Sequence, residues 1–361
     1  MAWGKRDDMI VRSEEPLNAE PTRAALAETD LTGVDTFYMR NHGPVPEVDP
    51  RTWRLRVAGL VNTPLELSLD ALREGFAQHE VTAVLQCAGN RRSGLMRVRD
   101  IPGQERWDAG AVGNARWAGA RLADVLAAAG LRPAARHAAF TAPDVSARAS
   151  PPQSFGASIP LCKAMSEEVL LAWNMNGQPL PRVHGAPVRV VVPGYIGARS
   201  VKWVSQITVQ DEPSDNYFQA IDYRLLPAEA DPASGGPDGG ISLGPFTVNA
   251  DILLPAGGAE VHGPVTVAGY AIVGDGRQVA RVEASPDGGR TWRQASLAEE
   301  PSPWSWRRWR ATLPLPPGPA EVIVRAWDSA GNVQPESAAQ VWNPKGYANN
   351  SWARVRFTVA G

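Results

Sequence analysis

The stretch Glu229–Gly240, EADPASGGPDGG, most limits what this chain can become. Proline fixes φ and removes a donor, glycine frees φ, and a run rich in both sustains neither helix nor strand. Such a run is a connection, and the patterns on its two sides differ. Before it, helical and extended periods mix. Trp53–Val61 alternates like a strand, and Ser68–Phe76 opens on a helix-capping serine. TAVLQC reads as a buried strand. In ARLADVLAAAGLRP, Leu122, Val125, Leu126 and Ala129 form one helical stripe that Gly130 ends. PVRVVVPG is a buried strand that breaks at Pro193-Gly194. The regular strand–helix rhythm of a doubly wound sheet is missing. After the connection, short alternating runs end in turn pairs such as Asp287-Gly288 and Gly331-Asn332, and no convincing helix appears. The expected fold class is α+β. A mixed α/β domain over residues 1–235 is followed by an all-β, immunoglobulin-like sandwich over 241–361, without the cysteine pair of antibody domains.

Composition narrows the function classes. Of 361 residues, 43% are apolar and 20% charged, and the formal net charge is −2, so nothing in the balance calls for nucleic acid. No run of eighteen apolar residues could span a membrane. The N-terminal segment lacks an apolar signal core, which makes the cytoplasm the expected address. Two cysteines are not a disulfide framework. Neither a Cys-x-x-Cys-His haem motif nor a glycine-rich flavin or nicotinamide fingerprint occurs; GDGRQ lies in a turn between strands.

Chemistry gathers around VTAVLQCAGNRRSGL, where Cys87 ends a strand, begins a glycine turn and is followed by Arg91 and Arg92. A buried cysteine alone behaves as a small hydrophobe. Neighbouring cations favour the thiolate, which is a nucleophile or a soft-metal ligand. Zinc spacing is absent, so a metal held by Cys87 would need donors other than protein side chains. Cys162, with apolar sequence neighbours, reads as a core filler. Two further clusters repeat the cationic theme. FYMRNHGPVP carries Arg40, Asn41 and His42, and PRVHGAPVRVVVPGYIGARSVKW carries His184, Arg189, Arg199, Ser200 and Lys202. Such clusters suit an oxyanion or a phosphate.

The motifs QCAGNRR, YMRNHGPVP, MNGQPLPRVHGAPVRVVVPG, GARSVKW and WNPKGYANNSW resemble the sulfite oxidase family of molybdenum-cofactor oxidoreductases, which includes sulfite dehydrogenases and assimilatory nitrate reductases. The resemblance runs from about Leu17 to Phe357. It implies a molybdenum–molybdopterin cofactor with Cys87 as the protein's ligand to the metal. It implies a cofactor site of Tyr38, Met39, Arg40, Asn41, His42, Asp144, His184, Arg189, Ser200, Val201 and Lys202. Arg40 and Arg92 match the arginines that hold the substrate oxyanion. Tyr223 matches a tyrosine beside the metal and Asp222 its acidic neighbour, and Trp107 looks like the tryptophan of the substrate pocket.

The implied reaction is oxygen-atom transfer that turns sulfite into sulfate, with two electrons leaving to a separate acceptor. The cofactor supplies the hard step, and the protein supplies orientation and charge. One position departs from the pattern: Lys345 stands in WNPKGY where sulfite-oxidising members carry an arginine, which keeps the charge and loses the planar fork. Reduction of nitrate or of an S- or N-oxide is the alternative activity, and a cofactor carrier the non-enzymatic one. The resemblance also implies that the sandwich forms a homodimer. The tryptophan-rich Pro301–Leu313 reads equally as an interface strand or as a sandwich core strand.

Overall fold

The computed structural model of the chain describes residues 2–232, 239–299 and 301–361. Two five-stranded sheets build the first part. In one, Leu65–Ser68, Arg54–Gly59, Gln206–Gln210, His137–Ser146 and Gln153–Pro160 lie in that order, with only Gln206–Gln210 and Arg54–Gly59 parallel. In the other, Gln178–Pro179, Leu170–Met175, Val112–Arg121 and Gln78–Gln86 form an antiparallel row, and Arg189–Val191 adds to Leu170–Met175.

Local patterns become local structure where period and turn chemistry agree. Ser68 Oγ accepts a hydrogen bond from the Ala71 N–H at 3.0 Å and caps the helix Leu69–Gly75. The helix Leu122–Ala129 buries Leu122, Val125, Leu126 and Ala129 completely. Each of the three larger side chains contributes roughly 1.5–3 kcal/mol by leaving water. Gly130 stops that helix at φ 69°, a left-handed conformation that a side chain would strain.

The second part is a sandwich. One sheet orders Asn249–Leu254, Val265–Ile272, Arg307–Leu313 and Ser296–Leu297; the other orders Glu260–Val261, Ala353–Val359, Gly318–Asp328, Val279–Ser285 and Arg293–Gln294. Val267, Leu313, Val282 and Val322 meet between them, fully buried. The helical content described here is one 3₁₀ turn, Ala338–Val341. Residues 233–238 of the expected connection, with the boundary at 235, lie outside the described residues. Past them, Ile241–Ser242 pairs back with Arg224–Leu225, and Leu243 and Phe246 join the core of the first part. The sandwich's own core begins at Val248.

One expectation changes, and one pair of equal readings is narrowed. Cys162 is exposed rather than a core filler. It sits on the short helix Leu161–Ala164, where consecutive residues point about 100° apart, so apolar sequence neighbours do not share its face. The tryptophan-rich segment resolves into a core strand. Trp309, Ala311 and Leu313 alternate inward along Arg307–Leu313, and Trp309 Nε1 donates to the Tyr270 carbonyl at 3.0 Å. Trp306 stacks on Tyr270 and donates to the Asp30 carbonyl at 3.0 Å, tying the sandwich to the N-terminal part of the same chain.

Candidate active site

The ladder between Gln78–Gln86 and Val112–Arg121 runs out where the Cys87 N–H donates to the Ala111 carbonyl at 2.9 Å. The chain then turns, and the Cys87 thiol is left on the wall of a cavity that Arg40, Asp144, Arg189, Lys202 and Tyr223 also line. The sulfur accepts a long contact, 3.4 Å, from the Gly89 N–H. Burial pushes the thiol pKa up, against the pull of Arg40 and Arg92. The flanking arginines therefore do not by themselves outweigh desolvation. A metal cation at the sulfur would deprotonate it outright.

Three basic side chains on the wall, Arg40, Arg189 and Lys202, share it with one carboxylate, Asp144; burial lowers the Lys202 pKa well below its ordinary value, with Asp144 opposing. The turn holding Arg40 is fixed by pairing of Met39 with Ala19 and by the Asn41 N–H, which donates to Asn18 Oδ1 at 2.6 Å. Lys202 donates to Asn41 Oδ1, joining that turn to the GARSVKW segment. Arg189 donates to the His184 carbonyl at 2.9 Å and to the Ser200 carbonyl at 3.0 Å. Its burial lowers the guanidinium pKa to about 10, so it stays charged at neutral pH. Asp144 is raised by burial, against the pull of Lys202, and its Oδ1 is buried without a hydrogen-bond partner. Burial holds the His42 and His184 imidazoles well below their ordinary pKa, so both are neutral. His42 Nε2 lies 2.6 Å from the Tyr223 hydroxyl, and burial raises that phenol's pKa, so it remains protonated.

The wall thus gathers Tyr38, Arg40, His42, Cys87, Asp144, His184, Arg189, Ser200, Lys202 and Tyr223 from the expected set. Met39, Asn41 and Val201 stand one layer behind, acting through backbone pairing or through Lys202. Arg92 is buried outside the wall. It donates to the carbonyls of Gly346 at 3.0 Å and Glu105 at 2.9 Å, and lies 5.1 Å over the Tyr347 ring. Its neighbour Arg91 serves the fold, donating to Asn249 Oδ1 and to the Ser351 carbonyl, both at 2.8 Å. Asp222 accepts from the Tyr347 hydroxyl at 3.2 Å, and Tyr347 stacks on Tyr223.

Besides Arg92 and Asp222, two further residues expected to face substrate do not reach the wall. Trp107 is fully buried in the apolar cluster behind Cys87. Lys345 gives its ammonium to the carbonyls of Ile221 and Asp222, the last turn before Tyr223. Both are short of the cavity because backbone and core claim their side chains first. The structure adds residues that carry no local sequence signal. Lys5 reaches His184 Nε2 at 2.7 Å while donating to the Phe37 carbonyl at 2.8 Å. Phe155 stacks on the His42 ring at 4.5 Å. Glu105 pairs with Arg40 at 3.4 Å and with Arg148 at 3.6 Å.

This donor set fits a molybdopterin. Among the described residues no three His, Cys, Asp or Glu side chains gather around a metal, so one bound at Cys87 takes its other ligands from a bound group. The cations on the wall suit that group's phosphate, and the orphaned Asp144 oxygen awaits a donor.

Comparison with known proteins agrees with the site. Residues 42–218 match the oxidoreductase molybdopterin binding domain, and residues 246–360 match the Mo-co oxidoreductase dimerisation domain. The chain is 45% identical to mitochondrial sulfite oxidase of Homo sapiens over 97% of its own length and 66% of that protein's. It is 41% identical to sulfite oxidase of Arabidopsis thaliana over 97% of its length and 94% of that protein's. An NADH nitrate reductase of Oryza sativa is 36% identical over 99% of this chain and 42% of the relative. The sulfane dehydrogenase SoxCD of Paracoccus pantotrophus superposes with a TM-score of 0.78 at 27% identity, covering 95% of this chain and 85% of that one. The chain spans about two thirds of the length of the mammalian relatives. With a cysteine at a cationic cavity and 97% of its own length matched to sulfite oxidases, the chain belongs to the sulfite oxidase family of molybdopterin oxidoreductases.

Proposed function

We propose that the protein oxidises sulfite to sulfate, with a water supplying the oxygen, two protons released and two electrons passed to a separate acceptor. The observation that carries this reading is the Cys87 thiol sharing one cavity wall with Arg40 and Tyr223. Arg189, Lys202, His184 and Ser200 would hold the pterin, and Cys87 its metal. When bound, that cofactor supplies the oxygen-atom transfer and the two-electron redox change. The protein's own groups do the rest. Arg40 draws in and orients the oxyanion, its guanidinium fixed in a water-poor pocket where its charge acts more strongly than in water. Tyr223 keeps its proton and offers its O–H to the substrate side, steadied by His42. The buried Tyr223–Tyr347 stack excludes water beside it. A cofactor carrier has no use for this oxyanion side.

Sulfite-dependent dye reduction and molybdenum analysis of protein from a molybdenum-replete host test the reading. Cys87→Ser should abolish turnover with the fold intact by circular dichroism, since serine gives no soft thiolate. Near-wild-type turnover in that variant overturns the assignment. Similarity to a nitrate reductase favours a second reading, reduction of nitrate or an S- or N-oxide. Nitrate reduction at a rate comparable to sulfite oxidation would select it.

A further inference from the structure

Two of the three cations expected before the substrate already give part of their donors to backbone carbonyls: Arg92 to those of Gly346 and Glu105, Lys345 to those of Ile221 and Asp222. A cation that the sequence motifs do not mark stands off the wall itself, beside Glu105, the carboxylate that pairs with Arg40. Arg148 lies on the loop after His137–Ser146 and makes two ion pairs, 3.6 Å to Glu105 Oε2 and 3.8 Å to Asp222 Oδ1. Both exceed hydrogen-bond length, and among the described residues its guanidinium donates no hydrogen bond. Its five N–H groups form a planar fork of the kind that grips an oxyanion at two points.

The loop is held against the turn that carries Arg40. Ser146 Oγ donates to the His42 carbonyl at 2.7 Å and accepts from the Arg148 N–H at 3.3 Å. Gly43 permits the contact, because a Cβ there would fall 2.1 Å from the Val145 carbonyl oxygen. The Arg148 charge is felt by His42, Tyr223, Tyr347 and Glu105, groups near Arg40 and Tyr223. Glu105 lies between Arg40 and Arg148, and its Oε2 is buried without a hydrogen-bond partner. Two guanidiniums thus share Glu105 while Arg148 also lies 3.8 Å from Asp222, so what Arg148 can offer an anion is its unbonded N–H fork rather than surplus charge.

We infer that Arg148 is a substrate-recognising residue that completes, with Arg40, the grip on a sulfite-like oxyanion. This rests on the sulfite reading above. The competing role is an ordinary rim ion pair, worth little and silent in substrate binding. Holoenzyme with Arg148→Met or Arg148→Lys separates the two. With matched molybdenum content, Arg148→Met should raise the sulfite KM about tenfold to a hundredfold, the loss of one hydrogen bond to a charged group, and lower kcat much less. Arg148→Lys should recover part of the loss, because the charge returns without the fork. Sulfate, the product anion, should raise the Tm of the wild type and raise that of Arg148→Met less. An unchanged KM together with an unchanged sulfate-induced Tm shift overturns the inference. Wild-type holoenzyme that binds sulfate but does not oxidise sulfite overturns the functional reading instead, and the sulfate shift in the variants then decides Arg148 alone.

Discussion

Lys345 shows at the scale of one residue how a charge of the right sign ends up with a different task. Its ammonium lies under the turn Phe218–Asp222 and bonds the carbonyls of Ile221 and Asp222, so it fixes the backbone that presents Tyr223. Burial lowers its pKa, with Asp222 opposing, yet the carbonyl contacts suit a cation. Lys345→Met should therefore cost about 1.5–3 kcal/mol of stability, the range for hydrogen bonds to a charged group, and lower the thermal midpoint by several degrees. Differential scanning calorimetry of the two proteins checks this. An unchanged midpoint with a raised sulfite KM would return Lys345 to the direct anion contact that its motif suggests.

At the scale of elements, the cofactor side is assembled by side chains that pin loops together. Arg189 opens the strand Arg189–Val191 and reaches back to the 3₁₀ turn Arg182–His184 and forward to Ser200. Its guanidinium also lies 4.9 Å over the Trp117 ring, a cation–π contact that favours this orientation. Arg189→Ala would free both loops at once. The expected result is a loss of cofactor affinity of roughly ten- to a hundredfold, as for other supporting contacts of metal sites, read as molybdenum and pterin per purified chain. Full occupancy combined with a raised sulfite KM would place Arg189 on the substrate side instead.

At the scale of the whole molecule, the sandwich is more than an appendage. Arg91 bonds Asn249 and Ser351, the Phe246 N–H donates to the Gly194 carbonyl at 2.9 Å, and Arg308 reaches the Leu26 carbonyl at 2.8 Å. The sandwich even supplies Tyr347, whose ring stacks on Tyr223. Its tryptophan-rich segment gives Trp306 and Trp309 to these internal contacts and to its own core, and residues 246–360 match a dimerisation domain. Light scattering at micromolar concentration should give twice the chain mass, and a monomer there would overturn the homodimer.

Periodicity and turn chemistry act over a few residues, so the sequence alone determined the helix Leu122–Ala129, the strand through Arg54–Gly59, the mixed and all-β halves, and the cysteine that ends Gln78–Gln86. Long motifs carried the family and most of the residues now found around one cavity. Only the tertiary structure decided which donors are already spent. Lys345 and Arg148 are both cations in sequence, yet one is committed to carbonyls 123 and 124 positions away and the other keeps its fork unbonded between Glu105 and Asp222. Cys162 faces water and Trp107 sits in the core because helix phase and core packing, not composition, choose a side chain's surroundings. A hydrogen bond between distant segments leaves no local pattern, so the division between structural and substrate-facing charges becomes visible only when those segments meet.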